Sequence, residues 1–308
     1  EADMSDKATS SAGPVGVVGL GSMGFGMAGS LVAAGLDTYG FDVASPAVER
    51  FVAAGGKSGE LQDLAGRFSC VVLVVLNAPQ TEQILFGPSG LAARLGKGTA
   101  IIACATVPPA FAEDMAARCE ALGLQYLDAP ISGGSVKAAK GQLTIMASGA
   151  DAAFAAAQPA LDAMAERVFN LGPKPGTGSA MKAVNQLLAG VHIAAMAEAM
   201  TFGMAHGVDG QQMVEVISQC AGSSWMFENR GPHVVAGDYT PHSAVDIWLK
   251  DLGIVLDMAR GKKFGAPLTA AALQQFLAAS GSGLGAEDDA AVAKVYARNA
   301  GLDLPAKA

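Results

Sequence analysis

Lys182 sits one turn into a helical pattern, GTGSAMKAVNQLLAGVHIAAMAEAM (176–200), that is otherwise almost wholly apolar. At helical spacing Gly178, Lys182, Asn185, Gln186, Ala189 and Ile193 share one face. A lysine with two amides on the same face reads as a group placed in a pocket, not as a solvated side chain. An ordinary lysine, pKa about 10.4, is charged at neutral pH and accepts no proton. Burial disfavours the charged form and brings the amine toward general-base work on a hydroxyl. In the reverse direction the ammonium would donate to a developing alkoxide.

Gly19-Leu20-Gly21-Ser22-Met23-Gly24 is a G-x-G-x-x-G turn. It follows an apolar β-branched run, Val15 to Val18, and opens a helical pattern. A second strand pattern then ends at Asp42. That context is what a dinucleotide fingerprint requires. Gly19 permits the tight turn, Gly21 the approach of a pyrophosphate, and Gly24 close helix–strand packing. The helix N-terminus offers N–H groups and a positive dipole end to phosphate. Asp42 can accept from the ribose hydroxyls and repel a 2′-phosphate, which favours NAD over NADP. The overlapping pattern Gly24 to Gly29 begins inside the helix and is set aside. Ser132-Gly133-Gly134 supplies a hydroxyl and two unhindered N–H donors, an anchor for a substrate carboxylate.

The elements that position these groups alternate. Apolar runs at 69–79, 98–109 and 122–130 read as strands covered on both faces, with helical stretches between them. Runs at 142–149 and 167–172 read as late strands that extend the same sheet. Beyond 178 the pattern is helical: to about 206, then 209–220, 244–260, 266–279 and 287–299. The expected fold is α/β, an N-terminal Rossmann doubly wound parallel sheet followed by an all-α domain joined through a long helix. Residues 1–13 are expected to be a disordered leader, 14–177 the NAD-binding domain, and 178–308 a helical substrate and dimerisation domain.

With 308 residues, 51% hydrophobic and 16% charged, the chain has the composition of a core-rich globular protein. A net charge of -8 without any Lys/Arg run argues against nucleic acid or an anionic membrane as partner. Cys70, Cys104, Cys119 and Cys220 lack CxxC spacing and read as buried, reduced thiols of a cytoplasmic protein. The scattered His192, His206, His233 and His242 show no metal-ligand spacing, so no metal centre is expected. The apolar helix is broken by Asn185, Gln186, His192 and Glu198 and reads as a core helix, apolar nearly all round; a second subunit could cover part of it.

Three motifs together carry a family resemblance: GVVGLGSMGFGMAGSLVAAG, Asp128-Ala129-Pro130-Ile131-Ser132-Gly133-Gly134, and GTGSAMKAVNQLL. From Pro14 to about Arg298 the chain resembles the β-hydroxyacid dehydrogenases, relatives of 3-hydroxyisobutyrate dehydrogenase and tartronate semialdehyde reductase. Segments 186–200, 224–253 and 287–296 look like the branch that oxidises L-threonate. The resemblance implies NAD-dependent hydride transfer on a small hydroxy acid, with Lys182 as general base and Asn185 and Gln186 beside it. It implies that Gly19, Leu20, Gly21, Ser22, Met23, Gly24, Asp42, Leu76, Asn77, Thr106 and Lys250 border the cofactor. Ser132, Gly133, Gly134, Lys182 and Gln186 would bind substrate, and Trp225 and Phe227 could wall the pocket. A homodimer or homotetramer is expected. The family usually has Asn four residues after the lysine; here that position is Gln186, with Asn185 before it, so which amide meets substrate stays open. 3-Hydroxyisobutyrate or tartronate semialdehyde are alternative substrates, and a catalytically silent nucleotide-binding module is the alternative of another class.

Overall fold

The computed structural model describes residues 13–307; the expected leader therefore lies outside the described residues, Gly13 excepted. The chain divides into two compact units, with the division after Lys182.

The first unit contains strands β1 (Val15–Val18), β2 (Thr38–Phe41), β3 (Cys70–Leu73), β4 (Ala100–Ala103), β5 (Gln125–Asp128), β6 (Ile131–Ser132), β7 (Leu143–Ala147) and β8 (Ala165–Asn170). Its helices are α1 (Gly24–Ala33), α2 (Ser45–Ala53), α3 (Leu61–Leu64), α4 (Ala78–Phe86), α5 (Pro109–Ala121), α6 (Gly134–Ala139) and α7 (Asp151–Met164), and α8 (Thr177–Ala205) begins in it. Strands β1 to β5 form one parallel sheet in the order β2-β1-β3-β4-β5. Alternate residues feed two cores, so every position along the central strands β3 (CVVL) and β4 (AIIA) is apolar and buried. Cys70 and Val72 of β3 join the core with Met27, Leu31 and Leu161, whereas Val71 and Leu73 join the core with Phe68, Leu85 and Met115. Strand order reverses between β1 and β3, and folds of this kind bind ligands at that switch point, beyond the carboxyl ends of the strands.

Two elements depart from the sequence expectation. The late strands do not extend the parallel sheet: β6, β7 and β8 form a sheet of their own. Pro130 follows β5 without an N–H to donate, and the chain turns back through β6 to pair antiparallel with β7. An isolated antiparallel bridge, Asp128 to Ser148, joins the end of β5 to the residue after β7.

The second unit packs the remainder of α8 with α9 (Gly210–Ile217), α10 (Trp225–Ala236), α11 (Val245–Gly261), α12 (Pro267–Ala279) and α13 (Ala293–Ala300). Ile193, Met196, Ala197 and Met200 of α8 are buried with Phe227, Trp248, Leu252 and Phe276. A Cβ on Gly190 would stand 2.7 Å from Leu252, so glycine is what allows α8 and α11 to approach. Helix α10 is the second departure. Gly231 and Pro232 lie inside it and disguise it as a loop in the sequence. Its start is marked by Ser224, whose side chain accepts from the Phe227 N–H.

Helix α8 is long and apolar enough to cross a membrane, but half of its most apolar window is buried within the protein. All four cysteines are free; Cys70, Cys104 and Cys119 are buried and, against expectation, Cys220 is exposed. Burial pushes the Cys70 thiol up to about 12, which makes it inert.

Candidate active site

In the first unit, every expected cofactor residue it contains lies just past the carboxyl end of a strand of the parallel sheet. Gly19 follows β1 with φ +100°, and a Cβ there would stand 2.2 Å from the Val74 carbonyl oxygen. Gly24 opens α1 against the Gly19 carbonyl and is closed to any side chain in the same way. Gly21 differs: a Cβ there meets nothing within 4 Å. The protein's own packing does not require glycine at 21, whereas the close approach of an external group does, and that fits a dinucleotide pyrophosphate. Ser22 is exposed and Met23 is the N-cap residue of α1. Gly26, in the discounted second pattern, serves packing, since a Cβ would meet the Ala139 nitrogen at 2.7 Å.

Asp42 ends β2 and accepts from the Leu20 N–H at 2.7 Å and from the Ala44 N–H at 2.8 Å. It thereby ties β2 to the glycine-rich turn and fixes its carboxylate beside it. Leu76, 64% exposed, and Asn77 follow β3, and the Asn77 side chain caps α4 through the Gln80 N–H. Thr106 follows β4. After β5 the chain reaches β6 and then Gly133 and Gly134, with φ +131° and +76°, which only glycine adopts freely. Lys182 is 8% exposed and its Nζ donates to the Ile131 carbonyl at 2.8 Å. At the start of the same helix, α8, lies Asp128, 1% exposed, whose carboxylate accepts from the N–H of Gly176 and of Ser179 and from the hydroxyls of Ser148 and Ser179. Burial pushes the Asp128 carboxyl up, against the pull of those hydrogen bonds.

In the second unit, Asn185 and Gln186 belong to the next turn of α8. Asp251, 2% exposed on α11, accepts from Gln186 Nε2 at 2.5 Å and from Lys250 Nζ at 2.5 Å. A carboxylate accepts only, so it fixes the Gln186 amide with its nitrogen toward Asp251 and its oxygen outward. That oxygen accepts from Asn185 Nδ2 at 2.8 Å. Both ends of Gln186 are thus committed within the protein. Phe227 belongs to the core, whereas Trp225 is 57% exposed.

Residues 14–172 match the NAD-binding domain of 6-phosphogluconate dehydrogenase, and residues 176–296 match the NAD-binding domain of NADP-dependent 3-hydroxyisobutyrate dehydrogenase. An L-threonate dehydrogenase of Cupriavidus necator is 51% identical over 96% of this chain and 98% of its own length. The chain belongs to the β-hydroxyacid dehydrogenase family. An L-threonate dehydrogenase of Escherichia coli K12 is 48% identical over 94% of this chain and 96% of its own. The crystal structure of a 3-hydroxyisobutyrate dehydrogenase from Salmonella typhimurium matches with a TM-score of 0.87 at 48% identity, covering 92% of this chain and 99% of that one. This β-hydroxyacid dehydrogenase is accordingly an NAD-dependent oxidoreductase with a Rossmann-type domain.

Sequence reasoning passed over three groups of this β-hydroxyacid dehydrogenase. Asp128 was visible as part of a motif but not as a cap for α8. Asp251 stood beside Lys250 with no spacing signal of its own. His233, His242 and Asp288 come together, with potential ligand atoms within 4.8 Å of one another. That carboxylate is committed: Oδ1 takes His233 Nδ1 at 3.0 Å and the Ala290 N–H at 3.1 Å, and Oδ2 takes the His242 N–H at 2.8 Å. Arg230 Nε stands 3.7 Å away. The arrangement is a capped turn with the Arg230 guanidinium beside its carboxylate.

Proposed function

We infer that this enzyme oxidises the 2-hydroxyl of L-threonate to 2-oxo-tetronate with NAD, and that Lys182 is the general base. The observation that carries the reading is Lys182 itself: a buried amine on the helix that follows the glycine-rich sheet edge, held by the Ile131 carbonyl. When bound, NAD supplies the hydride acceptor. On the protein's side, Lys182 Nζ takes the hydroxyl proton as the C2–H bond breaks, and returns a proton to the oxygen in reduction. Ser132 with the N–H groups of Gly133 and Gly134 anchors the substrate carboxylate; a Cβ on Gly134 would meet nothing within 4 Å, so the space is open. Asn185 is the amide that faces substrate, because Gln186 is held at both ends. Gly19 to Gly24, Asp42, Leu76, Asn77 and Thr106 form the cofactor's bed, and Lys250 is a further candidate for binding the cofactor. The carboxylate of Asp42 selects NAD through the ribose hydroxyls. On this reading residues 14–177 bind NAD and 178–308 serve substrate and subunit contacts.

Support for L-threonate comes from the activity of the relatives at 47–51% identity. A second reading, 3-hydroxyisobutyrate, is favoured by the solved Salmonella relative. The test is NADH formation by purified protein with NAD or NADP and a panel of L-threonate, D-threonate, D-erythronate, 3-hydroxyisobutyrate and D-glycerate. L-Threonate with NAD is expected to give the highest kcat/KM. Preference for another acid moves the substrate, and preference for NADP overturns the Asp42 argument.

The enzyme is also proposed to act as a cytoplasmic homo-oligomer. The exposed side of α8 carries large apolar side chains, with Glu198 among them: Met181, Val184, Leu188 and Phe202 are 44%, 55%, 49% and 66% exposed. A second copy would bury that stripe. Light scattering after gel filtration is expected to give at least twice the 30.9 kDa chain mass; a monomer would contradict it.

A further inference from the structure

A helix leaves its first N–H groups without partners, and a side chain at the N-cap commonly takes them. In α8 the residue before Thr177 is Gly176, which has no side chain to offer. The cap comes instead from 48 residues upstream. Asp128 Oδ2 accepts the Gly176 N–H at 2.9 Å and the Ser179 N–H at 2.8 Å, and Oδ1 accepts the Ser179 hydroxyl at 2.6 Å. Ser148 extends the cap: its hydroxyl donates to Asp128 at 3.3 Å and accepts the Gly178 N–H at 2.9 Å. Gly178 makes the approach possible, since a Cβ there would stand 2.4 Å from the Met146 carbonyl and 2.7 Å from that of Asp128. A carboxylate at this end of a helix also faces the positive pole of its dipole.

Three residues after Asp128, the Ile131 carbonyl accepts Lys182 Nζ at 2.8 Å. One four-residue stretch, Asp128 to Ile131, therefore fixes both the start of α8 and the head of the lysine one turn further on. It also leads directly into Ser132-Gly133-Gly134.

We propose that Asp128 is the positioning residue of Lys182: by capping α8 from the sheet edge it sets the place and direction of the amine relative to the carboxylate anchor. The proposal rests on the reading of Lys182 as the base. Every partner donates to the Asp128 carboxylate, the Gly176 and Ser179 N–H groups and the Ser148 hydroxyl to Oδ2 and the Ser179 hydroxyl to Oδ1. Asparagine removes the negative charge that faces the helix N-terminus and keeps the Ser179 hydroxyl only by reversing that hydrogen bond, so the cap weakens and α8 shifts. Displacements of about 1 Å at a reacting group cost on the order of 100-fold in rate.

The test is a double-mutant cycle on the full-length enzyme, using its best substrate and NAD. Asp128→Asn is expected to lower kcat roughly 10- to 100-fold while NADH affinity, read by fluorescence, stays within about two-fold. In a Lys182→Ala background the same substitution is expected to cost no further rate, because its effect passes through the amine. A general loosening of the fold would lower both backgrounds by the same factor, and that result overturns the proposal. So does an unchanged kcat in Asp128→Asn. Should that variant not fold, Ser179→Ala removes a single hydrogen bond of the cap; a loss of roughly three- to ten-fold confined to the wild-type background is expected, and an equal loss in both overturns the proposal. Near-normal turnover by Lys182→Ala alone would instead overturn the reading of the base.

Discussion

Lys182→Ala is expected to lose kcat by roughly 10² to 10⁴ while NADH binding and the thermal midpoint change little. The proton on a substrate hydroxyl has to leave as the C2–H bond breaks, and among the residues grouped beyond the sheet edge Lys182 is the buried amine placed to take it. Asn185 and Gln186 cannot substitute, since an amide does not accept a proton at neutral pH. Cofactor affinity should survive because the glycine-rich turn and Asp42 are fixed by their own bonds, Asp42 to Leu20 and Ala44, with no part played by the lysine. Lys182→Arg is expected to be nearly as slow: arginine keeps the charge but does not deprotonate. Kinetics with NAD, fluorescence titration with NADH and a melting curve separate the terms. A variant retaining more than about a tenth of wild-type kcat would show that another group moves the proton.

The largest loss of stability is expected from Arg230→Met. Arg230, 6% exposed on α10, donates from Nε to Asp289 at 2.5 Å and lies 3.7 Å from Asp288; both carboxylates are fully buried. Trp248 Nε1 also donates to Asp289, at 2.9 Å, and His233 to Asp288. Burial on its own would raise both carboxyls. At Asp288 the His233 bond, backbone N–H groups and the guanidinium overcome it and hold the pKa down at about 2. At Asp289 burial wins and the carboxyl is pushed up despite Arg230. Taking away the guanidinium leaves two buried carboxylates facing one another, a loss of about 3–5 kcal/mol at neutral pH. The sign with pH follows. In the wild type, Asp288 titrates below its unfolded value, so its stabilisation is present above about pH 4 and fades as pH falls toward 2. In the variant Asp289, already pushed up by burial, loses the guanidinium that opposes that push, so its carboxyl rises further above the unfolded value and stability falls as pH rises through it. The difference between the two proteins should therefore grow from pH 4 to pH 7 in urea or thermal unfolding. A difference independent of pH would assign the loss to packing alone.

The sheet and the glycine-rich turn were legible because their signals are local: an apolar run for a strand buried on both faces, and glycines that no other residue can replace at 19 and 24. Lys182 stood out for the same reason, as a cation with two amides beside it at the start of an apolar helix. What the sequence hid depends on partners far along the chain. The cap of α8 comes from Asp128, and a glycine stands where a capping side chain is normally sought. The orientation of the Gln186 amide turns on Asp251, 65 residues past it, because a carboxylate can only accept from the amide nitrogen. Helix α10 was masked by Gly231 and Pro232, local breakers that tertiary packing overrides. The second sheet was misassigned because β-propensity says that a strand exists but not which neighbour it pairs with.

The role of the Lys182 amine is tested most directly by returning it from solution. Lys182→Ala, saturated with NAD and substrate, is assayed with increasing methylamine, against the same ionic strength of potassium chloride. A proton-accepting lysine predicts a rate that rises in proportion to the free-base form of the amine, and more steeply at higher pH. A rate that ignores the amine, while cofactor and substrate still bind, would contradict Lys182 as the base.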